Sequence, residues 1–272
     1  MGGRHLSINI RGAKHYGFGQ RHRFFFNLTP SHVTSYHPPG WDFGKWEEIM
    51  FTYDEIAGMI DHSLLKPFLT DKEIEEGCRI AVEYKVASAC VRPCDVERAA
   101  RILKGSPVRV GTVIGFPHGT TTTQTKVAET KEAIENGAVE LDVVLNIGKL
   151  KSRDYDYVKL DLMAVNSIAH KKNVIVKVIF ENCYLDDEEK IAACKICSEV
   201  GVDYVKTSTG FGSGGAEDKD IKLMRENTNP AIKLKAAGGI RTLERAIEVR
   251  KLGCSRIGAT ATVGILERLK SI

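Results

Sequence analysis

The chain has no long apolar run. None of its stretches approaches the roughly 20 apolar residues that a membrane-spanning helix needs, and F-F-F-N-L at 24–28 is too short for the apolar core of a secretory signal. Tryptophan is scarce, and both copies, Trp41 and Trp46, fall within the first 49 residues. Cysteines number seven, an odd count scattered along a chain without a secretory signal, so a disulfide framework is excluded and a reducing, cytoplasmic setting is expected. Cys194 and Cys197 form a C-x-x-C, but the surrounding segment reads as a helix that puts them on one face with Ile191, which argues for core packing rather than metal. His62, His118 and His170 have no ligand spacing, so a zinc-dependent site is not expected. Net charge is +4. Residues 1–49 hold six basic residues against Asp42, Glu47 and Glu48, so the folded part is close to neutral and lacks a nucleic-acid footprint.

What is present divides unevenly. Residues 1–49 carry five of the eight histidines, no acid before Asp42 and the breaker cluster H-P-P-G at 37–40, with no periodic pattern. A mis-assigned start, with translation beginning at Met50, is the favoured expectation, ahead of a disordered extension and of an Arg-rich, acid-poor transit peptide.

Residues 50–272 read as one catalytic domain. Short apolar runs alternate with amphipathic stretches, as βα units of a parallel sheet require. The expected strands are 59–65, 87–91, 108–116, 140–146, 174–180, 203–208, 231–237 and 255–259. Between them, Thr70 and Asp71 cap a helix running to about Lys85, with Glu73 near a capping-box position. Val158, Leu162 and Val165 recur at helical spacing. Asp186 and Glu189 open another helix that Gly201 closes, and Gly137 and Gly253 also follow helical runs. Eight strands with intervening helices predict a single (β/α)₈ TIM barrel, an α/β fold, with an open doubly wound sheet as the alternative. In such a barrel the active site lies at the C-terminal strand ends.

Four charged residues sit inside expected central strands: Asp142, Lys177, Lys206 and Lys235. Pointed into a barrel, such groups must pair or shift their pKa. Amine catalysis needs a lysine neutral enough to attack an aldehyde, a second cation that lowers its pKa, and a carboxylate that moves protons. The strand pattern alone leaves open which lysine plays which part. Lys233 shares a face with Lys235 and is expected near the bottom of its strand, reaching solvent. Glycines follow the last three strands: Gly210, Gly212, Gly214 and Gly215, then Gly238 and Gly239, then Gly258. The pairing of G-G-I-R-T with I-G-A-T suits a phosphate held on backbone N–H groups.

The motifs I-D-H-S-L-L-K-P, G-F-P-H-G, E-L-D-V-V-L-N-I-G, V-K-T-S-T-G-F and K-A-A-G-G-I-R-T, in this order, resemble the deoxyribose-phosphate aldolase family over roughly residues 52–270. The resemblance implies a cofactor-free aldehyde-lyase that reversibly cleaves 2-deoxy-D-ribose 5-phosphate to glyceraldehyde 3-phosphate and acetaldehyde, in deoxyribonucleotide catabolism. It also implies a homo-oligomer. By the same resemblance Lys206 is the Schiff-base lysine, Lys235 perturbs it and assists proton transfer, and Asp142 works with ordered water. Lys177 and Thr209 are supporting residues, and Gly210, Gly238, Gly239, Gly258 and Thr260 fall on the phosphate-binding positions. The family commonly has two serines after the last strand's glycine, whereas this chain reads G-A-T-A-T. Thr260 can replace the first hydroxyl but Ala261 cannot replace the second, a loss of about 1 kcal/mol. The extension is also foreign to the family, and Met50 fits the family's usual start.

Other readings remain. A sugar-phosphate isomerase would need a glutamate or cysteine base and no imine. A binding protein would use the basic, His-rich residues 1–49. Cys90 is expected as a small buried hydrophobe, with reaction towards aldehydes as the alternative if it borders the pocket. His118 is expected at a strand end.

Overall fold

The computed structural model describes residues 51–271, so the expectations for residues 1–49 and for Met50 lie outside the described residues. Helix α1 (Tyr53–Ala57) leads into strand β1 (Ile60–Leu64), followed by α2 (Asp71–Glu83), β2 (Ser88–Val91), α3 (Val96–Leu103), β3 (Arg109–Ile114), α4 (Thr123–Glu135) and β4 (Glu140–Val144). The second half holds α5 (Ile147–Lys151), α6 (Tyr155–His170), β5 (Ile175–Ile179), α7 (Asp187–Val200), β6 (Tyr204–Lys206), α8 (Asp218–Asn227), β7 (Lys233–Ala237), α9 (Leu243–Lys251), β8 (Cys254–Ala259) and α10 (Thr262–Lys270). Each strand pairs in parallel with the next, and β8 returns to β1 through Asp61 opposite Gly258, closing an eight-stranded barrel. This is the TIM barrel expected from the strand count, not the open sheet.

The strand side chains alternate between two environments. Leu141, Val143, Val176, Val178, Val205 and Leu234 face outward into the core shared with the helices. Burying each such side chain contributes about 1.5–3 kcal/mol, so this outer layer holds the helices on the barrel. The intervening residues point inward. Asp142 is level with Lys177 on the neighbouring strand, and Lys206 is level with Lys235.

Local signals act where the sequence puts them. Thr70 and Glu73 close a capping box on α2, Asp186 and Glu189 close another on α7, and Gly201 ends α7 in the left-handed conformation. On α6, Val158, Leu162 and Val165 are buried. Cys194 and Cys197 lie in the core, whereas Ile191 is only half-buried at the outer edge of α7. All the strands but β8 are shorter than their patterns, and for two of them the cause is visible. The run 140–146 ends at Val144 because the Asn146 side chain accepts from the Lys149 backbone N–H and starts α5, a helix that periodicity does not reveal. The run 203–208 keeps only Tyr204–Lys206, because the Thr207 hydroxyl ties to the Ala237 backbone as the chain turns outward.

Candidate active site

The inward-facing residues form one buried ionic ladder. Lys206 Nζ donates to Asp142 Oδ2 at 2.6 Å, and Lys235 Nζ donates to the same oxygen at 2.7 Å. Lys235 also reaches Asp61 Oδ2 at 2.5 Å. Lys177 contacts Glu140 at 2.7 Å, Asp142 at 2.9 Å and Asp61 at 3.3 Å. Below them Arg256 pairs with Asp61 and donates to both oxygens of Glu140, at 2.7 and 3.1 Å, while Arg109 reaches Glu140 from the solvent end at 3.0 Å. Ser88 donates to Asp61 at 2.7 Å.

Among the described residues, the fully buried part of this ladder carries four cations (Lys177, Lys206, Lys235, Arg256) against three carboxylates (Asp61, Glu140, Asp142). An unbalanced charge in such a place is costly unless one group gives up its charge. Of the three lysines, Lys206 is the one whose pKa is lowered. Burial lowers its pKa, opposed by Asp142 and reinforced by the nearby Lys235 ammonium. For Lys235, burial acts the same way, but the Asp142 and Asp61 carboxylates outweigh it and raise its pKa. Lys177 behaves likewise, held well above its ordinary value against burial by Asp142, Asp61 and Glu140. Burial works to raise the Asp142 pKa, yet Lys177, Lys206 and Lys235 together hold it well below the carboxylate range.

Above the ladder, at the C-terminal strand ends, opens a cavity of about 180 Å³. Lys206 and Lys235 form part of its floor; Asp142 and Lys177 lie beneath it. All five residues expected to hold phosphate, Gly210, Gly238, Gly239, Gly258 and Thr260, border this one cavity, and so does Thr209. Gly238 has φ +85°, and a Cβ there would stand 2.8 Å from the Gly215 Cα, so two glycine loops meet where a side chain would separate them. Ala261 is not in the wall. It is the N-cap of α10 with no side-chain acceptor, which leaves that helix's first N–H groups without a side-chain cap.

Cys90 borders the cavity, where burial pushes its thiol up to about 11. Lys233 is exposed, over the Tyr204 ring, as expected. The three histidines are dispersed: His62 is buried against Thr262, His118 is exposed, and His170 bonds Asp203. Sequence periodicity did not single out Asp61, Glu140, Arg256 or Ser88. The available signal was the two-residue repeat, which puts Glu140 on the same face as Asp142 and Arg256 on the same face as Gly258. At the rim, Lys66 and Arg241 add cations, with the Lys66 ammonium 5.0 Å from the Phe211 ring centre.

A closed, parallel eight-stranded barrel with a glycine-lined cavity at the C-terminal ends of its strands has the architecture of a TIM-barrel enzyme. The sequence profile of the DeoC/LacD family aldolases matches residues 55–261, and the chain belongs to that family. It is an aldolase. It is 52% identical to the deoxyribose-phosphate aldolase of Clostridium perfringens (strain SM101 / Type A) over 213 residues, covering 78% of this chain and 95% of that one. Against the deoxyribose-phosphate aldolase of Rhodopirellula baltica identity is 47%, over 79% of this chain and 90% of the relative. Among solved structures, the tetrameric deoxyribose phosphate aldolase of Aeropyrum pernix superposes with a TM-score of 0.76 at 29% identity, covering 81% of this chain and 93% of that one.

Proposed function

We propose that the chain reversibly cleaves 2-deoxy-D-ribose 5-phosphate to glyceraldehyde 3-phosphate and acetaldehyde through a Schiff base on Lys206. The observation that carries this reading is the placement of Lys206 on the cavity floor, its Nζ 2.6 Å from Asp142 Oδ2 with Lys235 Nζ on the same oxygen, where burial and the Lys235 ammonium both lower the Lys206 pKa. A neutral Lys206 amine attacks the substrate's aldehyde carbon, and loss of water leaves an iminium. The hydroxyl proton on the third carbon then leaves, the bond between the second and third carbons breaks, and its electron pair passes into the enamine as glyceraldehyde 3-phosphate departs. Protonation of the enamine and hydrolysis release acetaldehyde and restore the amine.

In this reading the Lys235 ammonium is the proton donor nearest the reacting nitrogen, since both lysines meet on Asp142 Oδ2. Asp142, held ionised, is a fixed anion that orients both lysines and passes protons by way of Lys235 and water. Lys177 supports it from below. The substrate phosphate lies against Gly210, Gly238, Gly239, Gly258 and Thr260, with Arg241 and Lys66 at the rim. Seven free thiols support a reducing, cytoplasmic setting, and among the described residues no helix is long and apolar enough to cross a membrane. Self-assembly is part of the proposal, in keeping with the tetrameric relative.

The isomerase alternative needs a cysteine or glutamate base, and Cys90 is shifted away from the thiolate. Borohydride reduction with acetaldehyde separates the two readings. An ethyl adduct on the Lys206 peptide, lost in Lys206→Leu, supports the aldolase; absence of the adduct, or its survival in that variant, refutes the Schiff base.

A further inference from the structure

The carboxylate of Glu181 takes no part in the ladder and is 2% exposed. It follows β5, two residues beyond Ile179, with φ +57° and ψ +63°, a left-handed conformation that residues with a side chain rarely adopt. The other non-glycine residues with positive φ among those described, Lys85, Arg153 and Asn173, all sit on exposed turns. Glu181 alone among the described non-glycine residues holds this conformation at a buried position. Among the described residues no cation pairs with it; its partners are Thr209 and, more weakly, the Cys183 thiol, which donates to Oε1 at 4.0 Å.

The contacts set a direction for every proton. The Thr209 backbone N–H lies 3.3 Å from both Glu181 oxygens, and the Thr209 hydroxyl donates to Glu181 Oε2. The same hydroxyl accepts the Phe211 N–H at 3.0 Å. A hydroxyl has one proton and two lone pairs. With its proton committed to Glu181 and one lone pair to Phe211, the Thr209 oxygen retains only an accepting position. Gly212 lies on this carboxylate, where a Cβ would stand 3.0 Å from Glu181 Cδ, so the loop after Lys206 is seated on Glu181. Thr209 borders the cavity three residues after Lys206.

We infer that Glu181 is a positioning residue that makes Thr209 an acceptor-only wall of the cavity, selecting a hydroxyl of the substrate's acceptor half. This deepens the proposed function and rests on it. A phosphate oxygen brings no proton to such a wall and meets a carboxylate behind it, so the phosphate is held by the glycine loops' backbone N–H groups rather than by the Thr209 hydroxyl. A hydroxyl on the carbon next to the acceptor's aldehyde supplies the proton that Thr209 lacks.

The test compares addition of acetaldehyde to lactaldehyde and to propanal, which differ only in that hydroxyl. Wild type, Glu181→Gln, Glu181→Gly and Thr209→Val are measured beside borohydride trapping of acetaldehyde on Lys206. Glycine suits the left-handed backbone at this position, so selectivity lost in Glu181→Gly stems from the missing carboxylate, not from strain. The expected result is a wild-type kcat/KM preference for lactaldehyde that falls about 10-fold, the worth of one hydrogen bond, in Glu181→Gly and Thr209→Val. Glu181→Gln, which keeps an acceptor, should retain part of it, and trapping should proceed at the wild-type rate in the two Glu181 variants. No wild-type preference, or an unchanged preference in variants that still trap acetaldehyde, overturns the role of Glu181. Failure of the wild type to trap acetaldehyde overturns the Schiff-base reading instead.

Discussion

The two faces of the same eight strands follow opposite rules. Outward, Leu141, Val143, Val176 and Val178 pack into a continuous apolar layer under the helices. Inward, one residue along in each case, Glu140, Asp142 and Lys177 join a dry ionic ladder. Apolar burial is favourable almost regardless of neighbours, whereas a buried charge is tolerable only in a particular arrangement, and buried ion pairs seldom add net stability. The outer face therefore accounts for holding the barrel together, and the inner face for setting protonation states.

The sharpest way to break this comparison is Lys206→Leu. It removes the one surplus cation, so activity should fall about 10⁴-fold or more while the urea midpoint stays level or rises. A large loss of stability in this variant would mean that the ladder is structural. Lys235→Leu comes next, with activity lower by about 10²-fold. Burial lowers the Lys206 pKa and the Lys235 ammonium lowers it further, so deleting Lys235 should raise it and move the acidic limb of kcat/KM to higher pH. An unmoved limb would separate the two lysines.

The outer face should respond in the reverse sense. Leu141→Ala, fully buried against the helices, should cost about 2–5 kcal/mol of unfolding free energy while Lys206 still traps acetaldehyde. The outward side of β1 also carries a buried histidine. His62 is pushed down to about 4 by burial. The unfolded chain binds that proton from about pH 6.5 downward, but the folded protein binds it only near pH 4. Stability from a neutral His62 is thus present above pH 6.5 and lost as pH falls towards 4, by up to about 3 kcal/mol. Denaturant titrations at pH 7 and pH 4 should show a shallower acid loss in His62→Gln. The smallest effect belongs to the rim: Lys66→Ala should raise KM for the phosphorylated substrate a few-fold, about the worth of an exposed ion pair, with kcat unchanged.

Much of the architecture was legible before any coordinates. Periodicity located all eight strands, and the capping residues Thr70 and Asp186 act as read. Gly210, Gly238, Gly239 and Gly258, far apart in the chain, do border one cavity, whereas Gly212, Gly214 and Gly215 do not line it. Less legible were residues whose significance depends on a partner from another strand. Asp61 lies in a motif near the start of the domain, yet its contacts come from Ser88, Lys177, Lys235 and Arg256. Glu181 reads as an ordinary polar residue after a strand; nothing local announces a left-handed backbone or a bond to Thr209.

Lys206 in V-K-T-S-T-G-F illustrates the division. Strand spacing and the order of motifs were enough for a barrel with charges at its strand ends and a family resemblance, because hydrophobic period and turn chemistry are local properties of the chain. They could not say which of three inward lysines has its pKa lowered. That choice is a sum over charges brought together from β1, β4, β5, β7 and β8, each attenuated or amplified by its burial, and only closure of the barrel puts those distances in place.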